Sequence, residues 1–443
     1  MGLVQQLVAA VALAVLIGGL VAKSRLPRIP AWSIMAFASF MVVAGGLLPV
    51  GELGAAVDLD VVLFLIGMFS IVSMAESAGL LDAVAYWFLA KAGSTRRMLM
   101  LLSLLFGLLA AFTVNDAVAL MGPAIAAAAA RIAGVDLEPL ALLLAFSVTI
   151  GSVATPIGNP QNVLIAVQSG IATPLLTFLK YLLAPTLVNL LALPALISRW
   201  YRLPDRRVDA FFVPSEFIKS RRDAYLAGGA LMAVIAALLA NDAFAMLGLP
   251  HVENIGFIPF VAAAAIYIFS SEPRRVLEGV NWGTIVFFIT MFITMRGIWS
   301  SGLLQPAIGA LMPGREGPAL GIPAISIESL LFSQALSNVP FTELFIQYMK
   351  AAGYGPQDVW AWLTLATAAT VAGNVTLLGA ASNIIILEVL ESILADVEVQ
   401  RIRREGHRDH RDKHGALPAL PVPSRAAVEA GLDGSIGPRR RLC

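Results

Sequence analysis

Four short polar clusters lie inside otherwise apolar segments of this chain. They are Thr113-Val114-Asn115-Asp116, the stretch Gly151-Ser152-Val153-Ala154-Thr155-Pro156-Ile157-Gly158-Asn159-Pro160-Gln161-Asn162, then Ser337-Asn338-Val339-Pro340, and finally Gly373-Asn374-Val375-Thr376-Leu377-Leu378-Gly379-Ala380-Ala381-Ser382-Asn383. Their chemistry is recognition. Asparagine carries a donor and an acceptor in one side chain. Serine and threonine add hydroxyls at small volume, and glycine lets the backbone come close to a ligand. Such a set can hold a small anion beside sodium ions with few buried charges. It does not suit catalysis. The chain has no His-Glu-x-x-His and no Gly-x-Ser-x-Gly, and three of its four histidines (His251, His407, His410, His414) lie in a charged tail. We therefore expect a protein that is not an enzyme and needs no cofactor beyond a coupling ion, sodium or proton.

The clusters must be positioned by elements that cross a bilayer. Composition sets that frame: 58% of residues are hydrophobic, 13% are charged, and the mean hydropathy is +0.82, against about 25% charged in soluble domains. The expected class is an all-α polytopic membrane protein. The lone cysteine, Cys443, excludes disulfides within the chain and cysteine metal clusters. The N-terminal apolar run lacks a basic leader, so no cleaved signal peptide is expected. Apolar runs long enough to span lie at 2–21, 31–49 and 58–76, with a shorter interfacial run at 81–92. The runs 98–113 and 116–132 are joined too closely to be ordinary spans and read as a re-entrant hairpin. The segment 140–171 carries two prolines and two glycines near its centre, so it reads as a broken helix around a polar site, and 174–197 follows as a span.

The second half repeats this order: 223–242, 254–270, 279–297, a short run at 302–312, a hairpin over 324–350 and a broken segment over 357–392. Gly158 and Asn162 recur in the second half, with their spacing kept, as Gly379 and Asn383. Asn115 recurs as Asn338, and Leu63–Phe69 resembles Val286–Phe292 at the same offset as that pair. Chance likeness of apolar runs explains one match; several at nearly one offset point to an internal duplication. Paired interruptions in corresponding places are the sequence mark of a transporter site. Basic residues gather at Lys23, Arg25 and Arg28, at Lys91, Arg96 and Arg97, through the linker 201–222, and at Arg274 and Arg275. Placing these inside puts the N-terminus outside, makes both hairpins re-enter from opposite faces, and gives two repeats of inverted topology, 1–200 and 223–394. The counterpart of 174–197 should lie near 395–418, where the sequence is polar; 395–443 reads as a disordered cytoplasmic tail. A replaced last helix is the alternative. The basic tail suits anionic lipid, and no nucleic-acid partner is expected.

The motifs Val114-Asn115-Asp116, Ile157-Gly158-Asn159-Pro160-Gln161-Asn162, Ser337-Asn338-Val339-Pro340-Phe341 and Gly379-Ala380-Ala381-Ser382-Asn383 resemble those of the ion transporter superfamily. That group includes arsenite permeases, Na+/H+ antiporters, and citrate and divalent-anion symporters. The tips, Val-Asn-Asp and Ser-Asn-Val rather than the symporters' Ser-Asn-Thr, are most similar to the arsenite-permease branch. The resemblance implies an inverted-repeat fold in the cell membrane, a homodimer, and a hairpin meeting a broken helix in each half. By position, the substrate ligands would be Asn115, Thr155, Gly158, Asn159, Asn162, Ser337, Asn338, Thr376, Gly379, Ser382 and Asn383. Coupling-ion ligands would be Thr113, Asn115, Asp116, Gly151, Ser152, Asn338, Gly373 and Asn374, with sodium possible there. The expected function is secondary active transport of a small anion or oxyanion. The rival is a Na+/H+ antiporter with Asp116 as ion carrier; capping of the following helix by Asp116 is the plainer account. Asn241 and Asp242 read as interfacial, and no role follows for Glu343.

Overall fold

A helix satisfies its own backbone groups, so long apolar runs in a waterless medium fold as helices. The computed structural model describes residues 2–26, 29–208, 214–306, 315, 317–376 and 380–408, and it is nearly all helical. The first half runs α1 (Leu3–Arg25), α2 (Ala31–Ala44), α3 (Leu59–Ser77), α4 (Leu80–Ala90), α5 (Thr95–Thr113), α6 (Asn115–Ala133), α7 (Leu137–Ser152), α8 (Pro160–Gln168) and α9 (Pro174–Trp200). The second runs α10 (Arg221–Met246), α11 (Phe257–Phe269), α12 (Trp282–Ser300), α13 (Pro318–Leu336), α14 (Asn338–Ala351), α15 (Val359–Val371) and α16 (Ala381–Arg408). Among the described residues, eight helices are long and apolar enough to cross a membrane. The short run expected at 302–312 falls largely outside the described residues.

The halves are interleaved. Helix α3 packs on α11 and α12 packs on α2, so each half buries its apolar faces against the other. Helix α16 packs on α6, with Ile386 and Leu390 in the core around the first hairpin. This helix runs to Arg408, well into the stretch expected to be unstructured from 395. The physical reason is local: from Ala381 to Glu405 there is neither proline nor glycine, and Glu, Leu, Arg and Gln favour helix. The remainder of the tail, 409–443, lies outside the described residues.

The linker between the halves is docked, which composition did not announce. Gly93–Ser94 (β1) pairs antiparallel with Arg207–Val208 (β2), and the Thr95 N–H donates to Arg206 O at 2.9 Å. Further on, Phe217 stacks on Tyr86 of α4 with ring centroids 3.8 Å apart.

Asn241 and Asp242, at the end of α10, are buried within the protein. Asn241 clamps Val252, accepting its N–H at 2.7 Å and donating to its carbonyl at 3.1 Å. The Asp242 carboxylate accepts the Leu176 N–H at 2.8 Å, in the first turn of α9. The chain's two halves are thus joined by a carboxylate capping a helix from outside. A carboxylate facing a helix N-terminus is stabilising, and removing it leaves a buried amide unpaired. Asp242→Ala should therefore cost about 1–3 kcal/mol, while Asp242→Asn, which keeps an acceptor, should cost less. Thermal unfolding of the two purified variants checks the order.

Candidate functional site

Each hairpin turns on a single residue in a conformation that L-residues avoid. Val114 links α5 to α6 at φ 74°, and Ser337 links α13 to α14 at φ 68°. A β-branched residue at positive φ is a genuine outlier, and such strain persists only where the surroundings fix it. The turn leaves the last carbonyls of one helix and the first amides of the next unpaired at the tip. Helix α6 starts at Asn115, so Asp116 sits inside the first turn and the cap position belongs to Val114. The capping account of Asp116 does not hold. Its carboxylate is half-buried and has no hydrogen-bond or ion-pair partner among the described residues.

The first break is built by its own side chains. After α7 ends at Ser152, a single 3-10 turn, Pro156–Gly158, precedes α8. The Asn162 amide donates to Ser152 O at 3.1 Å and to Thr155 O at 3.0 Å, tying off carbonyls that the break exposes. Asn159 donates to Ser152 O at 3.1 Å and accepts the Asn162 N–H at 2.9 Å, capping α8. The Thr155 hydroxyl accepts the Gly158 N–H at 3.1 Å and donates to Ala111 O, which fastens the break to the first hairpin. Gly151 lies against Gly107 of α5: a methyl group there would stand 2.1 Å from the Gly107 carbonyl oxygen. Only a glycine at 151 lets these helices come so close, whereas a methyl on Gly107 would meet Leu190 of α9 instead.

The second break repeats one of these bonds at the corresponding place and ties itself to its hairpin through the corresponding threonine. The Asn383 amide donates to Gly373 O at 2.8 Å, as Asn162 does to Ser152 O, and both members of the bond are shifted along the chain by the same amount. The Thr376 hydroxyl donates to Gln334 Oε1 at 2.7 Å, tying this break to the second hairpin as Thr155 ties the first. A methyl on Gly373 would lie 3.2 Å from the Asn338 side-chain nitrogen, so the second tip abuts the second break. Gly379 falls outside the described residues.

Two threonines then join the breaks to each other. The Thr149 hydroxyl donates to Asn374 Oδ1 at 2.9 Å. Thr370 Oγ1 accepts from the Asn159 amide at 3.1 Å and from the Gln161 amide at 3.3 Å. Thr149, Gln161, Gln334 and Thr370 were absent from the sequence-based candidates. The repeat held the missing signal, because Thr149 and Thr370 are separated by the same offset as Asn162 and Asn383. Of the named candidates, Thr113 and Ser152 spend their hydroxyl protons locally, on Leu109 O at 2.7 Å and Thr149 O at 2.9 Å. Thr376 is exposed, whereas Asn115, Asn162, Asn338, Ser382 and Asn383 are buried.

Among the described residues, the side-chain oxygens of four of the buried asparagines have no partner. Asn115 Oδ1, Asn162 Oδ1, Asn338 Oδ1 and Asn383 Oδ1 are all buried and accept no hydrogen bond from a described residue, and the Ser382 hydroxyl likewise has no described partner. Buried polar groups are nearly always paired, and each orphan costs about 1–3 kcal/mol. Unpaired amide oxygens are hard acceptors of the kind sodium ligands require; they fit a desolvated cation better than they fit the protein around them.

A polar, doubly broken centre held inside apolar helices defines a multi-pass membrane transport protein. The sequence model of the citrate transporter family matches residues 8–372. The chain belongs to that family. It is 26% identical over 368 residues to an uncharacterized transporter of Mycobacterium bovis, covering 79% of this chain and 82% of that one. It is 31% identical over 313 residues to a silicon efflux transporter of Oryza sativa, covering 57% and 62%. It is 28% identical over 338 residues to the inner membrane protein YbiR of Escherichia coli, covering 76% and 81%.

Proposed function

We propose that this chain is a secondary active transporter that moves a small anion or oxyanion by alternating access, coupled to a sodium or proton gradient. The observation that carries it is the set of four buried asparagines, two at hairpin tips and two at breaks, whose oxygens lack partners among the described residues. In this reading Asn115, Asn162, Asn338 and Asn383 turn their oxygens to sodium. The amides at the starts of α6 and α14 carry the positive ends of helix dipoles and meet the anion. The matching bonds of the two breaks support inverted repeats with re-entrant hairpins. The working form is a homodimer in the cell membrane, N-terminus outside and tail inside. Citrate in the family's name and silicon in the rice relative's name are too unlike to fix one cargo.

A second reading has one observation in its favour. The carboxylate of Asp116, beside Asn115, has no hydrogen-bond or ion-pair partner among the described residues and feels the Lys23 charge only from a distance, which suits an ion carrier of a Na+/H+ antiporter.

Thermal unfolding of the purified chain separates them. Anions are added singly, in sodium and in choline at equal ionic strength, since a ligand of the folded state raises apparent stability. A shift from one anion that needs sodium supports symport and names the cargo. A shift from sodium alone to which no anion adds anything, abolished in Asp116→Asn, supports the antiporter; an anion that adds to the sodium shift supports the first reading.

A further inference from the structure

Glu343 is a carboxylate in the second turn of α14, only 5% exposed. Two amides hold it. Gln347 Nε2 donates to its Oε1 at 3.0 Å, and Gln168 Nε2 donates to its Oε2 at 3.0 Å. Gln168 is the last residue of α8, so this contact ties the second hairpin to the first half's broken helix. Among the described residues no cation pairs with Glu343. A buried carboxylate without a cation is costly in its charged form.

The charged groups around it are few. Asp58, which precedes α3, and Lys350 of α14 act on it from a distance. Lys350 is in turn within reach of Arg296 on α12. Helix α13 brings Glu328, whose Oε2 has no partner; Asp358, ahead of α15, is already paired with Arg315 at 3.1 Å. Helix α8 contributes only the neutral Gln168.

The side-chain oxygen of Gln347 supplies the decisive detail. It is buried and has no donor among the described residues, although the amide nitrogen of the same group is bonded to Glu343. The two ends of an amide have nearly the same shape and can exchange by a half-turn. With Glu343 ionised, both amides donate to it and the Gln347 oxygen goes unpaired. With Glu343 protonated, its O–H needs an acceptor, and a half-turn of Gln347 presents that oxygen. Each protonation state thus has a bonded arrangement, with the cost moved from one atom to another.

We propose that Glu343 is a proton-binding site of the transport cycle, with Gln347 as the acceptor of its proton and Gln168 reporting its state to the first half's break. When that side of the molecule opens to water, hydronium gives a proton to the carboxylate and leaves as water; release runs in reverse on the other side. The proposal rests on the alternating-access reading above for the cycle, but the proton site itself is testable without transport.

The test is difference infrared spectroscopy of the full chain in lipid bilayers across pH, with no substrate added, following the carbonyl stretch of protonated carboxyls. Glu343→Gln, nearly the same shape, should lose one titrating band. Asp116→Asn should keep that band. Gln347→Leu, which leaves the carboxyl but removes its acceptor, should move it. An unchanged set of bands in Glu343→Gln, or a band unmoved in Gln347→Leu, overturns the proposal. Because the measurement needs no cargo, these results stand apart from the anion and sodium shifts that test the transport reading.

Discussion

Gly151→Ala is expected to be among the most damaging single substitutions in the chain. The added methyl would stand 2.1 Å from the Gly107 oxygen and 2.3 Å from its Cα. Both are backbone atoms, so no side chain can rotate away. Helices α5 and α7 must separate, and that pulls on the Ser147–Ser103 hydrogen bond of 3.1 Å and on the Thr155 contact with Ala111. Overpacking that side chains can absorb costs about 1–3 kcal/mol, and this one falls at or above the top of that range. Gly229, in α10, has open space where its methyl would go. Gly229→Ala should be neutral or stabilising, by up to about 1 kcal/mol, because alanine favours helix. Thermal unfolding and size-exclusion profiles of the two variants in one detergent decide the matter; equal profiles would contradict the packing described for the first break.

Asn115→Ala and Asn338→Ala should separate ligand binding from stability. Their amide oxygens accept no hydrogen bond from the described residues, so truncation removes a buried orphan as well as some packing. The unliganded chain should change by within about 1 kcal/mol. The ion- and anion-dependent gain should vanish; at ligand one hundred times its dissociation constant that gain is about 2.7 kcal/mol. Asn162→Ala should behave differently, since its amide also holds Ser152 O and Thr155 O across the break. It should lose both the ligand response and resting stability. Unfolding curves with and without ligand for all three variants check the pattern, and equal losses of resting stability in all three would contradict it.

The helical class could be read from the chain because apolar length is a one-dimensional property. The breaks could be read because proline, glycine and asparagine inside such lengths are costly without a purpose. What escaped is tertiary. Asn241 and Asp242 sit at a helix end, where polar residues are usually wet, and nothing local says that Val252 and Leu176 will cover them. The docking of Phe217 on Tyr86 depends on how the linker folds back. The partners of Glu343 come from one turn along its own helix and from the other half of the chain. The bridging role of Thr149 and Thr370 was accessible through the offset that marks the asparagines, but a lone threonine in an apolar helix draws no notice. The helix continuing to Arg408 escaped because polarity was read as disorder, although helix propensity over that stretch is good.

The bonds that cross between the breaks also set an order of assembly. Asn159 and Gln161 meet Thr370, and Thr149 meets Asn374, far downstream in the second half. A chain made from its N-terminus therefore presents its first break to the membrane long before these partners exist. During that interval the Gln161 amide lacks the acceptor it will later have, in a medium that offers none, while Asn159 keeps its local bond to Ser152 O. The growing first half must keep this segment beside water or insertion machinery until Thr370 arrives. Biogenesis of this protein is consequently a late closure, completed only when the last broken helix is in place.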